Sequence, residues 1–577
     1  MNNLLKKIIF FMFPLIFLAS NNGWAYTMPI GIPDANIDFE APIPQRPSDW
    51  SQEVPGYYYV DLEAGSFSPE FGSEASPRNR IPSPIPAGSY VEIAGDYSVG
   101  SGGVIAIISE GNSEQWVASK SGPVWITTSP NKPSAFTEKK VILSGSDIFI
   151  VGMTFKDHSL LQVGSHTKGY SASNVVIRKN EIIGYKELAS GSLLSALGHL
   201  ESPTQNIIFY DNIIRDAGDV TSLEDLDAGL IAVAGYASDV WMLNNTGYNA
   251  SGTGLQVNAI PPRTATHNVY AGRNEFYNVR QSGMWVKYAQ NVVFSSNYIH
   301  DIITTSWSPA KGMGGQYEPD GLWMINNRID NVEYGIRIPS TSDLGETKLK
   351  IYAIGNILQN INTEKTISGS SAWESAAIHI HGAEEHYILN NLILNAPNGV
   401  NISTFNGKSI IENNIILNLT VNQPDGQYGY HVWSEGKRDN DEIAINNNYF
   451  DSDMKIKLVN DLYETPEQLA KTGNLDNVYG PIFISNENIT STINSGSSNE
   501  IFSEETIDKG KSVSLILIAA FKSSFPASNG INLDLLSNDR FMGESIDIGP
   551  FEQDDNKMNG TEPAKPGNLQ LTEKNSL

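Results

Sequence analysis

The stretch Gly283–Asp301, GMWVKYAQNVVFSSNYIHD, decides the fold. Met284 and Val286 alternate with Trp285 and Lys287, and a period of two sends the first pair inward and the second outward along a strand. Asn291, Val292, Val293 and Phe294 follow, and Asn297 and Ile299 lead to a turn. The same text stands upstream as GYASDVWMLNN (Gly235–Asn245), which aligns with Lys287–Asn297 without a gap. Downstream, one residue longer, it is QYEPDGLWMINN (Gln316–Asn327). A unit that repeats in this way cannot bury its apolar face alone and has to stack on copies of itself.

Working outward, a segment of asparagine, three apolar residues, two others and a second asparagine recurs from Asn174 to about Tyr449. It ends at Asn180, Asn212, Asn245, Asn274, Asn297, Asn327, Asn356, Asn391, Asn414 and Asn448. The steps run from 23 to 35 residues, which suits a three-strand coil with loops inserted in the longer steps. The terminal asparagines are expected to stack, each amide bonding the next coil. A leucine-rich repeat is the rival, but its leucine spacing and regular helices are missing. The expected fold class is all-β: one right-handed parallel β-helix over residues 57–450, without a break into domains. Residues 26–56 read as an extended proline-rich lead-in, 451–552 as a C-terminal region packed on the end of the coils, and 553–577 as a polar disordered tail. Within 451–552, Thr465 as N-cap, Pro466 at N1 and Gln468 at N3 start a short helix that Gly473 ends.

The first 25 residues carry Lys6 and Lys7, an apolar run from Ile8 to Ala19, then Gly23-Trp24-Ala25. This is the pattern of an export signal cut after Ala25, and no other apolar stretch is long enough to span a bilayer. The chain is therefore expected outside the cytoplasm, periplasmic or extracellular. With no cysteine among 577 residues, disulfides and cysteine chemistry are excluded. A net charge of −26 opposes nucleic acid binding and repels a polyanion at long range, so an acidic glycan needs a local basic groove.

Four regions carry a family resemblance: YYYVD (from Tyr57) with SPRNRIP and AGSYVEI, the asparagine repeats, LYETPEQLAKTGNLDNVYGPIF (from Leu462) and SIDIGPFE (from Ser545). Together they span most of residues 57–552. The chain resembles secreted bacterial right-handed parallel β-helix repeat proteins of the pectin-lyase-like superfold. The resemblance implies that fold, a carbohydrate ligand, and lyase, hydrolase or epimerase activity, without selecting among them. The DPHD signature of alginate epimerases is missing. GIRI at Gly335–Ile338 matches one piece of the pectin hydrolase set, but the paired aspartates and Gly-His-Gly do not accompany it.

With GMWVK as a ruler, the equivalent strands are GLQVN, GMGGQ, GIRIP, AIHIH, GVNIS and GYHVW. One outward ladder then reads Gln256, Trp285, Gly314, Arg337, His379, Asn401 and His431. The other reads Asn258, Lys287, Gln316, Pro339, His381, Ser403 and Trp433. Neither holds a carboxylate, and indoles beside amides and imidazoles suit sugar rings. Lys287 and Arg337 suit a uronate carboxylate. The plainer alternative is a surface covered by loops.

The leading functional reading is cleavage of an acidic polysaccharide by β-elimination. Arg337 neutralises the carboxylate, and Lys287, His379 or His381 serves as the base. The remaining polar residues, Gln256, Asn258, Trp285, Gln316, Asn401, His431 and Trp433, bind the polymer. No resident metal is assigned; calcium is the one cofactor admitted, through the loop acids Asp225, Asp227, Glu318, Asp320 and Glu374. Those acids also support a hydrolase alternative, and a glycan-binding matrix protein that cuts nothing is a third. The protein is expected to act as a monomer.

Overall fold

The computed structural model describes residues 26–479 apart from 62, 65–68, 97–102, 109–121, 138, 260–264, 318, 340–348, 362–374, 404–406, 420–428, 436–441, 447, 451–453, 459–460 and 473–477. The export signal and residues 505–510 and 538–577 lie outside the described residues.

The chain winds as a right-handed parallel β-helix, and one coil shows how. Ser282–Lys287 lies on a first sheet, Gln290–Ser295 on a second and Tyr298–His300 on a third, and Lys311 opens the next coil on the first sheet. Every sheet is parallel from coil to coil, as in Gln256↔Trp285↔Gly314. The inward residues, among them Met284, Val286, Val292, Phe294 and Ile299, form a continuous core with no accessible surface.

The turn from second to third sheet explains the asparagines. The residue before each one from Asn180 to Asn414 adopts a left-handed conformation, for example Asn244 (φ 56°), Arg273 (φ 53°) and Ser296 (φ 58°). The next side chain then points into the corner. The Asn297 amide donates to Ala271 O at 2.9 Å and to Asn327 Oδ1 at 2.9 Å, while its Oδ1 accepts from Asn274 N at 2.9 Å. The ladder runs unbroken from Asn180 to Asn448.

The second sheet departs from simple alternation of buried and wet. Its outward row reads Tyr57, Tyr90, Trp125, Phe149, Val176, Ile208, Trp241 and Tyr270. The reason is the lead-in, which runs along this face from Trp50 back to Tyr26 and buries Ile30, Ile32, Phe39 and Trp50 against the row. The coils pin this strap: Arg178 donates to Phe39 O at 2.6 Å and Ala41 O at 2.7 Å, and Trp241 Nε1 donates to Pro33 O at 2.9 Å. Arg46 reaches buried Glu92 at 3.1 Å. Ile32→Ala is expected to cost about 2 kcal/mol, the low end for a large-to-small change because the strap can settle. Protease cuts within residues 26–56, with the core melting little changed, are the measurement; uncut strap would show that this contact is dispensable.

Beyond the coils, Thr465 caps the helix Pro466–Ala470, accepting from Gln468 N, and Lys471 rather than Gly473 is the C-cap.

Candidate functional site

The outer face of the first sheet is built from the strand corner. In each coil two successive residues face inward there, and the first has almost no room. A Cβ on Gly283 would lie 2.3 Å from Ile299, and one on Gly312 would lie 2.6 Å from Ile329. This doubled inward position breaks the period of two. Lys311, which strict alternation sends inward with Met313, therefore turns out onto the groove face, as Tyr334 does one coil on. Sequence reasoning missed Lys311 for that reason; the glycine that follows it, Gly312, is the signal that could have found it.

The register read from the sequence holds from Gln256 through Trp285, Gly314, Arg337, His379 and Asn401. It fails in the last coil. Asn401 aligns with Trp433, not His431, so that coil is displaced by two residues. His431 occupies the corner position that Gly399 holds one coil earlier, packing edge-on against Phe450 at 5.0 Å and accepting from Lys455 N at 3.0 Å. It is a buried corner residue rather than a groove residue. Trp433 moves to the first ladder, where Lys457 lies 4.5 Å over its ring.

Depth divides the ladders. Trp285, His379, Asn401 and Trp433 are buried, whereas Gln256, Asn258, Lys287, Gln316, Arg337 and His381 keep partial exposure. The floor is thus covered where an open row of side chains was expected, and the partly exposed groups stand around it. The Ile303–Lys311 segment forms one wall. Lys311 Nζ lies 5.2 Å over the Trp285 ring and donates to Ser308 Oγ at 2.8 Å and Pro309 O at 3.2 Å. Glu333 sits in the same corner, its Oε2 accepting from Thr304 Oγ1 at 2.9 Å and Ala310 N at 3.4 Å. Arg337 stacks 4.2 Å over Tyr334.

Between Trp285 and Arg337 the row holds only Gly314, leaving a notch with neighbouring coils about 4.8 Å away on either side. Gly314 has φ 150°, and a Cβ there would come within 1.9 Å of Arg337 O.

Loss of hydration brings the Lys311 ammonium down to about 7, with the positive charges of Arg337 and Lys287 adding to the fall and Glu333 opposing it. Burial pushes the Glu333 carboxyl above its ordinary range. Burial also holds His379 well below the usual imidazole range, helped by Arg337 and His381, so it is neutral near pH 7. A neutral amine beside a fixed guanidinium can take a proton from a bound anion.

The three described loop acids stand on different elements. Asp227 begins a first-sheet strand and accepts from the Gln281 amide. Asp320 lies on the second sheet opposite Gln290. Asp225 is exposed, and Glu318 and Glu374 lie outside the described residues. Among the described residues no three His, Asp or Glu side chains gather to hold a metal. No helix among them is long and apolar enough to cross a membrane.

Residues 141–344 match the family described as right handed beta helix region. No curated protein matches. Among solved structures, the periplasmic alginate epimerase AlgG is similar at 11% identity, over 47% of this chain and 65% of that one, with a TM-score of 0.27. This chain thus spans just under two thirds of that enzyme. A mannuronic acid specific polysaccharide family 6 lyase from human gut microbiota shares 11% identity over 77% and 94% of the two chains, TM-score 0.33. The A-module of an Azotobacter vinelandii mannuronan C-5 epimerase shares 12% over 74% and 88%, TM-score 0.32. These are similar in architecture alone.

Proposed function

We propose that the protein is an exported lyase that cleaves a uronate-containing polysaccharide by β-elimination. The observation that carries the reading is the placing of Lys311 against Trp285, at a notch that Arg337 closes from the other side. Arg337 binds the uronate carboxylate, which makes the adjacent C5 proton more acidic. Lys311, whose ammonium burial brings down to about 7, takes that proton in its neutral form, in place of Lys287, His379 or His381, to which the sequence alone gives this role. The electron pair left on C5 forms the C4–C5 double bond as the C4–O bond breaks, and the leaving oxygen takes a proton from Lys287. His379, neutral and buried beside Arg337, packs the floor with Asn401; His381 with Gln256, Asn258 and Gln316, which keep partial exposure, hydrogen-bonds the chain. Trp433, buried with Lys457 on its face, supports the far end of the groove floor.

Incubation with uronic acid polymers tests the reading. Ultraviolet absorbance from an unsaturated uronate supports it, reducing ends without that absorbance would favour a hydrolase, and binding without cleavage would favour a matrix protein. Arg337→Ala is expected to lower kcat/KM about 100-fold, the loss of roughly 3 kcal/mol of charged hydrogen bonding, with Arg337→Lys intermediate. Equal activity in both variants would remove Arg337 from the site.

A further inference from the structure

The seat of Tyr26 at the end of the strap carries an inference independent of the enzymatic reading. The Tyr26 ring packs edge-on against Phe39 (5.7 Å) and Tyr210 (5.4 Å), with the Arg273 guanidinium 5.0 Å over its face. Arg273 also donates to Thr27 O at 2.7 Å. The Tyr26 backbone nitrogen donates to Glu40 Oε2 at 2.7 Å, and Tyr210 donates its hydroxyl to Glu40 Oε1 at 2.9 Å. Among the described residues no lysine, arginine or histidine forms an ion pair with Glu40, whereas Glu74 and Glu92, further along the same strap contact, both pair with Arg46. Glu40 therefore holds a carboxylate charge against a backbone nitrogen, and that nitrogen directly follows the expected cleavage point after Ala25.

We propose that the strap is locked by the α-ammonium of Tyr26, made only when the chain is cut between Ala25 and Tyr26, with Glu40 as its receptor. In the cut the Ala25–Tyr26 C–N bond breaks and one water is consumed. Its hydroxyl goes to the Ala25 carbonyl carbon and its hydrogen to the Tyr26 nitrogen, which then takes up a further proton from solvent at neutral pH. A neutral N–H donor becomes a cation beside the same oxygen, at a distance already suited to a charge-assisted hydrogen bond. The uncut chain lacks this charge, so export processing would tighten the strap over the outer face of the second sheet. The ion pair is partly exposed, and its effect is local rather than global.

The exported protein is expected to begin at Tyr26 when its amino terminus is sequenced. Three further preparations of the full mature chain complete the test: one with Gly-Ser ahead of Tyr26, one carrying Glu40→Gln, and one with both changes. Glutamine keeps one acceptor oxygen for Tyr210 and replaces the oxygen facing the Tyr26 nitrogen with an amide nitrogen that cannot accept, so what it gives up is the contact at that nitrogen. Amide exchange over residues 27–41 should quicken about five-fold in either single preparation, the factor that matches 1 kcal/mol, and no further when both are combined. Independent, multiplying effects would overturn the proposal. So would unchanged exchange on adding Gly-Ser, or a natural terminus other than Tyr26.

Discussion

Lys311→Met is expected to lower the rate of polymer cleavage about a thousand-fold, within the range typical of losing a general base, without lowering the melting temperature. The two readouts separate chemistry from folding. The folded protein holds the Lys311 ammonium at about 7, against 10.5 for an ordinary lysine. Between those values the unfolded chain binds more protons, so folding gains stability as pH rises through that window and loses it as pH falls. Methionine keeps the stem's packing on Trp285 and removes the buried charge, so the variant should melt at the same temperature as the parent or higher at pH 7. The parent's rate should climb with pH through about 7 and then level off, because only the neutral amine accepts a proton. Full activity in Lys311→Met would return the base to Lys287, whose alanine variant is the next measurement. A rate that falls as pH rises through 7 would exclude Lys311 as the base.

Asn297→Leu should have the largest effect on folding. It strands the Asn274 backbone N–H, the Asn274 side-chain amide and the Ala271 carbonyl, all buried. At about 1–3 kcal/mol for each group left unpaired, the loss is at least about 3 kcal/mol, read from chemical denaturation. Asn297 lies in mid-ladder, so the coils on both sides lose support. Normal unfolding together with lost activity would mean that the ladder is not what holds the corner.

The contrast between these two residues shows where the sequence was legible. Asn297 recurs with its neighbours at every coil, and a repeated polar residue after three apolar ones has a single physical use, satisfying the corner backbone. Lys311 occurs once. Its direction depends on the doubled inward position at Gly312 and Met313, a departure from alternation that only the space beside Ile329 imposes. The strap was hidden for a related reason. Val293 and Ile208, each in the middle of an apolar triplet, point outward, and that is sensible only if something covers them. The triplets hinted at a cover without saying which part of the chain supplied it.

Periodicity alone determined the parallel β-helix, the asparagine ladder and the register of the first sheet from Gln256 to Asn401, because stacking copies of one short unit leaves few other ways to bury its apolar face. Tertiary structure decided the two-residue displacement that sends His431 into the corner beside Phe450 and Trp433 to the groove face. It also decided the burial of Trp285 and His379, and the meeting of Lys311, Glu333 and Arg337. Those outcomes depend on how inserted loops and corner glycines share space between coils, and distances of that kind have no period for a sequence to display.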